Sequence, residues 1–335
     1  MRPAFLPALV NDPFGDPALF VDRMFEGRAL LFDLGDLRQL APRKLLRVSD
    51  IFVTHCHMDH FMGFDWFLRI CLGRDRGVRL YGPPGFLDQV TAKLSAYTWN
   101  LVHRYENDFV LEAHELEADG RLLRAGFHVR EAFRRMDLAT QPAAGGVLLE
   151  APGFRVRAAI LDHGIPCLGY ALEEERHVNI WKNRLAERGL PVGPWLKGLK
   201  AAVLSNAPPD TPIATPAGER PLGALMDCVQ ITPGLKIAYV TDVVYHADNA
   251  ERIVELAREA DWLFIECVFL DELADRAWEK KHLTAAQAGR LARAAGAKNV
   301  VPFHFSPIYR GRELELRAEL IAAWQGGYQG SSRPS

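Results

Sequence analysis

The sequence lacks the features of secreted, membrane-spanning or globally basic proteins. Its five cysteines are dispersed without a C-x-x-C pair, which fits a reducing compartment better than a disulfide framework. No apolar run reaches membrane-spanning length, and the short N-terminal apolar run is broken by Pro7 and lacks a signal-peptide cleavage pattern. A formal net charge of −2 gives no global attraction to nucleic acid, so such binding must depend on a local basic patch. We therefore predict a cytoplasmic protein without a membrane partner.

One stretch, residues 54–60, concentrates side chains that bind divalent metals. It follows the apolar, β-prone residues 50–53 and reads H-x-H-x-D-H, with His55, His57, Asp59 and His60 as the candidate ligands. Imidazole and carboxylate ligands without thiolate suit Zn²⁺, with Mn²⁺ or Fe as alternatives. A metal site directly after a buried strand is therefore predicted.

Further along the chain, other predicted strands also end at a polar, metal-capable residue. These strands cover residues 154–162, 235–241, 262–265 and 299–303, and they end at His163, Asp242, Glu266 and His304. A carboxylate buried alone is costly, and a metal offsets that cost. We infer that the strand ends converge on one site.

The ligand set is large enough for two metal ions. The first ion is assigned to His55, His57 and His163, the second to Asp59, His60 and His304, and Asp242 is expected to bridge them because a carboxylate has two oxygens. Paired ions about 3.5–4 Å apart clamp the attacking and leaving oxygens of a displacement and make hydroxide available at neutral pH. Two Zn²⁺ per chain are therefore predicted.

Composition and turn signals predict the elements around these ligands. Helices are expected over 64–72, 86–96 and 173–189, and a loop or protruding arm over 207–221. Capping boxes are expected at residues 248–251 and 284–287, each opening a helix. A flexible tail is predicted for residues 326–335, where Gly and Ser are frequent.

Several motifs resemble the metallo-β-lactamase superfamily, and within it the ribonuclease Z branch. They are FVTHCHMDHFMGF, YGPPG, DHGIPCLGYALEE, KKHLTAAQAGRLA and VVPFHFSPIY. Together they extend over most of the chain between residues 31 and 309. The resemblance implies an α/β fold, the αβ/βα sandwich of two mixed sheets flanked by helices. It implies a single domain over residues 1–325 with a protruding arm around residues 175–222.

The same resemblance implies a function: metal-dependent endonucleolytic removal of the 3′ trailer from precursor tRNA. It gives Asp59 a general-base role in addition to metal ligation, and it makes His282 the group that contacts the scissile phosphate or protonates the leaving oxygen. A homodimer is also implied. The segment GLPVGPWLKGLK resembles the arm with which the family grips tRNA, here through Gly193, Pro194, Lys197 and Lys200.

Two residues outside the ligand set are weaker candidates. Glu266 is expected to orient a ligand or the region of His282, although a salt-bridged strand end is an alternative. His246, four residues after Asp242, is either a lining residue of the pocket or an ordinary polar loop residue.

Two other functions remain open from the sequence. The opening segment MRPAFLPALVNDPFG differs from the Gly- and Thr-rich loop of the family, which leaves a cyclic-nucleotide or other small phosphodiester, or another metallo-hydrolase substrate, as the alternative. A non-catalytic scaffold on the same fold would be expected to lose ligands, whereas all seven are present.

Overall fold

Two mixed β-sheets form the framework of the computed structural model, which describes residues 4–24 and 26–327. The first sheet has eight strands whose spatial order follows the chain. They are β1 (Phe5–Leu9), β2 (Leu19–Arg23), β3 (Arg28–Phe32), β4 (Val48–Phe52), β5 (Arg76–Gly82), β6 (Phe109–Leu116), β7 (Arg121–His128) and β8 (Arg135–Pro142). Strands β3 to β6 are mutually parallel, and the outer pairs are antiparallel.

The second sheet has six strands in the order β18-β17-β16-β11-β10-β9. They are β9 (Val147–Ala151), β10 (Phe154–Asp162), β11 (Pro166–Glu174), β16 (Lys236–Val240), β17 (Trp262–Glu266) and β18 (Val300–Phe303). Strands β16, β17 and β18 are parallel, so their carboxyl ends meet at one edge.

Aromatic side chains fill the space between the two sheets. Phe32, Phe52 and Tyr81 of the first sheet stack on one another, with ring centroids 5.0 and 4.9 Å apart. Tyr170 lies 5.5 Å from Phe52, and Tyr239 lies 5.9 Å from Phe32. Burying each such ring contributes about 1.5–3 kcal/mol. The layer therefore holds the strand ends of both sheets in fixed positions.

Helices cover the sheets on their outer sides. They are α1 (Pro42–Leu45), α2 (Met58–Phe61), α3 (Gly63–Cys71), α4 (Phe86–Ser95), α7 (Ala247–Ala257), α8 (Ala274–Lys280), α9 (Ala285–Ala294) and α10 (Glu313–Gln325). Helix α3 buries Phe64, Phe67, Leu68 and Cys71, a helical spacing that gives it one apolar face. The predicted fold class, an αβ/βα sandwich of mixed sheets flanked by helices, is confirmed.

Residues 151–154 and 173–235 form a second compact unit. It contains β12 (His177–Ile180), α5 (Lys182–Glu187), α6 (Leu196–Leu204), β13 (Pro212–Thr215), β14 (Gly218–Pro221) and β15 (Val229–Thr232). An apolar cluster of its own includes Leu185, Leu199, Ile213 and Leu225. The division into a single domain with an arm at 175–222 stays a prediction.

Two local predictions, the helix over residues 173–189 and the cap at Asp248, were wrong. Residues 173–189 are not one helix, because β12 pairs with the distant β15 and leaves only α5 helical. Residues 207–221, predicted to be a loop or a protruding arm, contain a hairpin of β13 and β14 closed near Gly218 at φ +97°. Helix α7 is capped by His246 instead of Asp248, since the backbone N–H of Asn249 donates to the His246 ring.

Other predictions were confirmed, among them the capping box at Thr284 and Gln287. The predicted tail lies outside the described residues from position 328 onward. Among residues 4–24 and 26–327, no helix combines the length and apolar character that crossing a membrane requires.

Gly63 sits where the start of α3 touches the loop after β3. Its N–H donates to the Leu34 carbonyl at 2.7 Å, and a Cβ there would lie 2.1 Å from the Gly35 carbonyl oxygen. We expect Gly63→Ala to lower the free energy of unfolding by about 3 kcal/mol through overpacking. The measurement is urea denaturation followed by circular dichroism.

Gly77→Ala in β5 is the matched control for this substitution. Its Cβ would meet no atom closer than Val110 O at 4.0 Å, so its unfolding free energy should change by less than about 0.5 kcal/mol. Equal stability of the two variants would contradict the proposed close contact.

Candidate metal centre

The H-x-H-x-D-H stretch begins immediately after β4 ends. His55 lies beyond the strand, His57 is the extended residue that precedes α2, and Asp59 and His60 lie on α2 itself. The His60 N–H donates to the His57 carbonyl at 3.1 Å, which closes the turn. This change from strand to helix within a few residues brings all four side chains to one region.

Three other site residues follow strands and adopt a left-handed backbone. Asp33 after β3, Asp242 after β16 and His304 after β18 have φ values of 59°, 51° and 58°. This conformation is uncommon for residues with a Cβ and costs of order 1 kcal/mol each. The sharp turn of the chain at these positions places each side chain beside the metal-binding motif instead of continuing the strand.

The first cluster of possible ligands contains His55, His57, His163 and Asp242. The Asp242 Oδ2 atom lies 3.7 Å from His55 Nε2 and 3.4 Å from His163 Nε2. The His57 ring centroid is 4.4 Å from that of His55 and 5.1 Å from that of His163. These are the residues that the sequence assigned to the first ion, together with the expected bridge.

The second cluster contains Asp59, His60 and His304. The other oxygen of Asp242, Oδ1, lies 3.3 Å from His60 Nε2 and 3.0 Å from His304 Nδ1. Asp59 Oδ2 is 3.5 Å from His60 Nε2 and 3.3 Å from His304 Nε2. The two oxygens of Asp242 therefore face different clusters, as a bridging carboxylate would.

Unpaired buried nitrogens support a fit to metal ions. His55 Nε2, His60 Nε2 and His304 Nδ1 are buried and make no hydrogen bond within the described part of the chain. Buried polar atoms are normally hydrogen-bonded. Here the histidine nitrogens face carboxylate oxygens, and a proton or a cation is needed between each nitrogen and the oxygen that it faces. The nitrogen and oxygen donor set fits Zn²⁺ or Mn²⁺. Cys56 instead packs against the apolar core, where burial raises the pKa of its thiol.

The electrostatics of the clusters also call for positive charge. Burial dominates at His55 and lowers its pKa to about 2. At His60 burial is outweighed by Asp242 and Asp33, which raise the pKa to about 10. The pKa of Asp242 lies well below its ordinary value because the attraction of His304 and His60 outweighs burial. Burial lowers the pKa of His304, but the charge of Asp242 and the hydrogen bond to it outweigh burial and raise that pKa. The carboxylates of the site therefore favour positive charge at the positions that bound cations would take.

Asp33, which was not among the predicted site residues, holds His60 in one tautomer. Its fully buried carboxylate accepts hydrogen bonds from Thr54 N at 2.7 Å, from Thr54 Oγ1 at 2.9 Å and from Tyr239 OH at 3.0 Å. Its Oδ2 also lies 2.9 Å from His60 Nδ1. With Nδ1–H donated to Asp33, the Nε2 lone pair of His60 points to the metal cluster. The available signal was an apolar strand ending at Asp33, the same pattern as at the ligands.

Comparable contacts orient His163 and His282. His163 Nδ1 lies 2.8 Å from the Lys281 carbonyl, so its Nε2 is free to act as a ligand. His282 Nδ1 lies 2.8 Å from Glu266 Oε2. The other Glu266 oxygen accepts the N–H groups of Val243 and Leu283 at 2.9 and 3.1 Å. Glu266 therefore contacts His282, as expected for an orienting carboxylate.

These residues open into a cleft of about 440 Å³. Its wall includes members of both clusters, namely His57, Asp59, His163, Asp242 and His304. It also includes His282, whose ring centroid is 5.1 Å from that of His163 and 5.5 Å from that of His304. The remaining lining residues are Val268, Phe269, Arg276, Lys280, Phe305, Ser306 and Pro307. A histidine with a carboxylate partner thus stands directly beside the two possible metal positions.

The weaker candidates have other positions. His246 caps α7 and its Nε2 lies 3.4 Å from Asp162 Oδ2, and it does not line the cleft. Gly193, Pro194, Lys197 and Lys200 belong to the second compact unit. The two lysines are exposed on α6, and the tRNA-binding role of this segment stays a prediction.

Known proteins resemble this chain along nearly its whole length. Residues 16–129 match the sequence model of the metallo-beta-lactamase superfamily, and residues 197–305 match that of a beta-lactamase superfamily domain. A Ribonuclease Z of Deinococcus radiodurans is 33% identical, with 94% of each chain covered. The Ribonuclease Z of Synechocystis sp. is 30% identical over 88% of this chain and 78% of the relative. The crystal structure of human tRNase Z, short form, superposes with a TM-score of 0.51 at 22% identity, covering 92% and 93% of the two chains.

Asp33→Asn tests the tautomer argument. An amide nitrogen in place of Oδ2 would donate to His60 Nδ1 and move the histidine proton to Nε2, where it blocks metal ligation. We expect metal affinity of the cluster containing His60 to fall about 10–100-fold. The measurement is competition against a chromogenic chelator, with metal content per chain determined after dialysis.

Asp36→Asn is the control, because the Asp36 carboxylate pairs with Arg38 at 2.7 Å and makes no contact with either cluster. Its metal affinity should equal that of the unmodified protein. Equal affinity of the Asp33 and Asp36 variants would refute the role given to Asp33.

Proposed function

The chain belongs to the ribonuclease Z family of the metallo-β-lactamase superfamily, and from this premise we propose that it is a dinuclear zinc endoribonuclease. Its substrate is precursor tRNA, from which it removes the 3′ trailer by hydrolysis of one phosphodiester bond. The protein is a metal-dependent hydrolase; the number of ions, their identity as zinc and a homodimeric assembly are part of the proposal.

One observation carries the proposal most directly, and it is the position of Asp242. Its two oxygens face separate clusters at 3.0–3.7 Å, which a single-ion site does not require. His55, His57 and His163 would hold one ion, and Asp59, His60 and His304 would hold the other. Bound there, the ions would neutralise the phosphate oxygens and lower the pKa of water, so that hydroxide is available at neutral pH.

His282 serves as the proton donor to the leaving 3′ oxygen of the upstream nucleotide. Its Nδ1–H is held by Glu266, so its Nε2 is the nitrogen that remains for substrate. Burial lowers its pKa, but the charge of Glu266 and the hydrogen bond to it outweigh burial, so the pKa is raised above the ordinary value. A larger fraction of His282 is therefore protonated at neutral pH, as a general acid requires.

Asp59 accepts the proton that the water loses when it becomes the attacking hydroxide. Burial raises its pKa, but the hydrogen bond to His304 and the charge of His60 outweigh burial and lower the pKa to about 2. Its carboxylate is thus anionic at neutral pH, and as an acceptor it orients the water for attack on phosphorus. The attack forms a new P–O bond while the bond to the 3′ oxygen breaks, and His282 supplies the proton that this oxygen takes.

The GLPVGPWLKGLK segment supplies part of the grip on tRNA. The indole N–H of Trp195 donates to the Pro191 carbonyl at 2.8 Å, which stabilises the turn containing Gly193 and Pro194. Lys197 and Lys200, three residues apart on α6, share one exposed side of that helix. Their charges suit phosphate contacts on an RNA backbone.

The proposal is tested by cleavage mapping on labelled tRNA precursors with 3′ extensions. With Zn²⁺ or Mn²⁺ present, we expect a single cut after the discriminator base that leaves a 3′ hydroxyl on the tRNA. His163→Asn should lower the rate by at least about a hundredfold, since it removes a ligand. The exposed His103 is the control position, and His103→Asn should cut at the normal rate.

A chromogenic bis-aryl phosphodiester is assayed in parallel. Turnover of this small substrate with no cut in any tRNA precursor would overturn the proposal and favour the small-phosphodiester alternative.

The pH dependence of cleavage tests the pairing of Glu266 and His282. Since the protonated form of His282 is required, activity falls as pH rises through its pKa, and Glu266 keeps that pKa high. We expect Glu266→Gln to move the basic limb of the kcat/KM profile to lower pH by about one unit or more. The neutral substitution Glu279→Gln, at an exposed position three residues before His282, should leave the limb in place. Coincident profiles of the two variants would contradict the assigned role.

A further inference from the structure

Two basic side chains line the metal cleft and have no role in the chemistry described above. Arg276 and Lys280 lie on α8 and form part of the same wall as Asp59, His282 and His304. Both are exposed. They are four residues apart, so they lie on one side of the helix with their Cα atoms about 6 Å apart.

Neither charge is neutralised by a neighbouring carboxylate. Within the described ranges, no acidic side chain comes within ion-pair distance of Arg276 or Lys280, whereas other exposed arginines such as Arg258 and Arg312 pair with a glutamate three residues away. An exposed pair of unneutralised cations at the mouth of a cleft attracts anions.

Phe269 fixes the position of Arg276 relative to the reacting groups. The guanidinium carbon of Arg276 lies 5.6 Å from the centroid of the Phe269 ring, a distance at which a cation and an aromatic face attract each other. The same ring has its centroid 6.5 Å from that of His282. The Phe269 ring therefore lies near both the guanidinium of Arg276 and the ring of His282.

We propose that Arg276 and Lys280 form a clamp for the backbone phosphates that flank the scissile phosphate in the substrate RNA. This inference rests on the proposed function, because it needs a substrate with several consecutive phosphates. A fork-shaped guanidinium can bind one phosphate through two donors, and the ammonium of Lys280 binds the next as a point charge. A substrate with one phosphate gains nothing from the pair, so the clamp favours a polynucleotide over a small diester.

The test is steady-state cleavage of a 3′-extended tRNA precursor by the zinc-loaded Arg276→Gln/Lys280→Gln variant across a series of salt concentrations. We expect KM to rise about tenfold at low salt with kcat changed less than about twofold. Loss of two phosphate contacts should flatten the slope of log KM against log salt by about 1.4. Metal content and turnover of the bis-aryl phosphodiester should stay unchanged.

Two further variants separate charge from structure. The exchange Arg276→Lys/Lys280→Arg keeps both charges and should retain most of the affinity. Arg43→Gln removes an exposed cation on α1, which precedes β4 and lies at the opposite end of that strand from His55. It should leave KM and the salt slope unchanged.

The outcomes distinguish this inference from its premise. If the unmodified protein cuts tRNA precursors and the double glutamine variant keeps the same KM and the same salt slope, the clamp is refuted and the proposed function stands. If the unmodified protein cuts no precursor, the proposed function fails and the clamp fails with it.

Discussion

The metal centre depends on one buried carboxylate. Asp242 is almost inaccessible to solvent, and its two oxygens contact four histidines that come from three distant parts of the chain. A buried anion of this kind is tolerated only when positive charge surrounds it. Protons on histidine or bound cations provide that charge. The requirement for a counter-charge thus links the stability of the fold to the occupancy of the site.

The position of that carboxylate is a consequence of the sheet packing. Phe32, Phe52 and Tyr239 belong to the aromatic layer between the sheets. They lie at or next to the ends of β3, β4 and β16, and these strands are followed by the site residues Asp33, His55 and Asp242. Tyr239 makes the link directly, because its ring packs in the layer while its hydroxyl donates to Asp33. Left-handed backbone at Asp33 and Asp242 is unfavourable locally, and the packed layer supplies the stabilisation that holds it. The site residues are therefore held in these turns by the packing of the core.

The sequence predicted those site residues that a local pattern identifies, and it missed those that depend on contacts between distant parts of the chain. His55, His163, Asp242 and His304 were identifiable because each ends an apolar run, and burial of such runs is a local property. Asp33 also ends an apolar run, but its role was not identifiable, since it depends on contacts with His60, 27 positions away, and with Tyr239, 206 positions away.

The errors have the same origin. Residues 173–189 are helical by composition, but pairing of β12 with the distant β15 overrides that preference. Asp248 was expected to cap α7, yet the Asn249 side chain is engaged with the backbone of Asp162 and Val244, which sets the start of the helix two residues earlier. The metal ligands could be predicted because metal binding requires particular side chains. Strand pairing and helix capping depend on partners that the local sequence does not contain.

The residues assigned to the chemistry and those proposed to bind the flanking phosphates differ in how well they tolerate substitution. A ligand such as His60 is fully buried and shares contacts with Asp33 and Asp242, so any substitution there affects charge balance and packing together. Arg276 and Lys280 are exposed and form no ion pair with a carboxylate in the part of the chain that the structure describes, and exposed positions of this kind typically tolerate substitution within about 0.5 kcal/mol. In the proposed clamp, substitutions at Arg276 and Lys280 would therefore leave the buried reaction centre unchanged. On this proposal, the preference for a polynucleotide over a small diester depends on these exposed cations and not on the buried ligands.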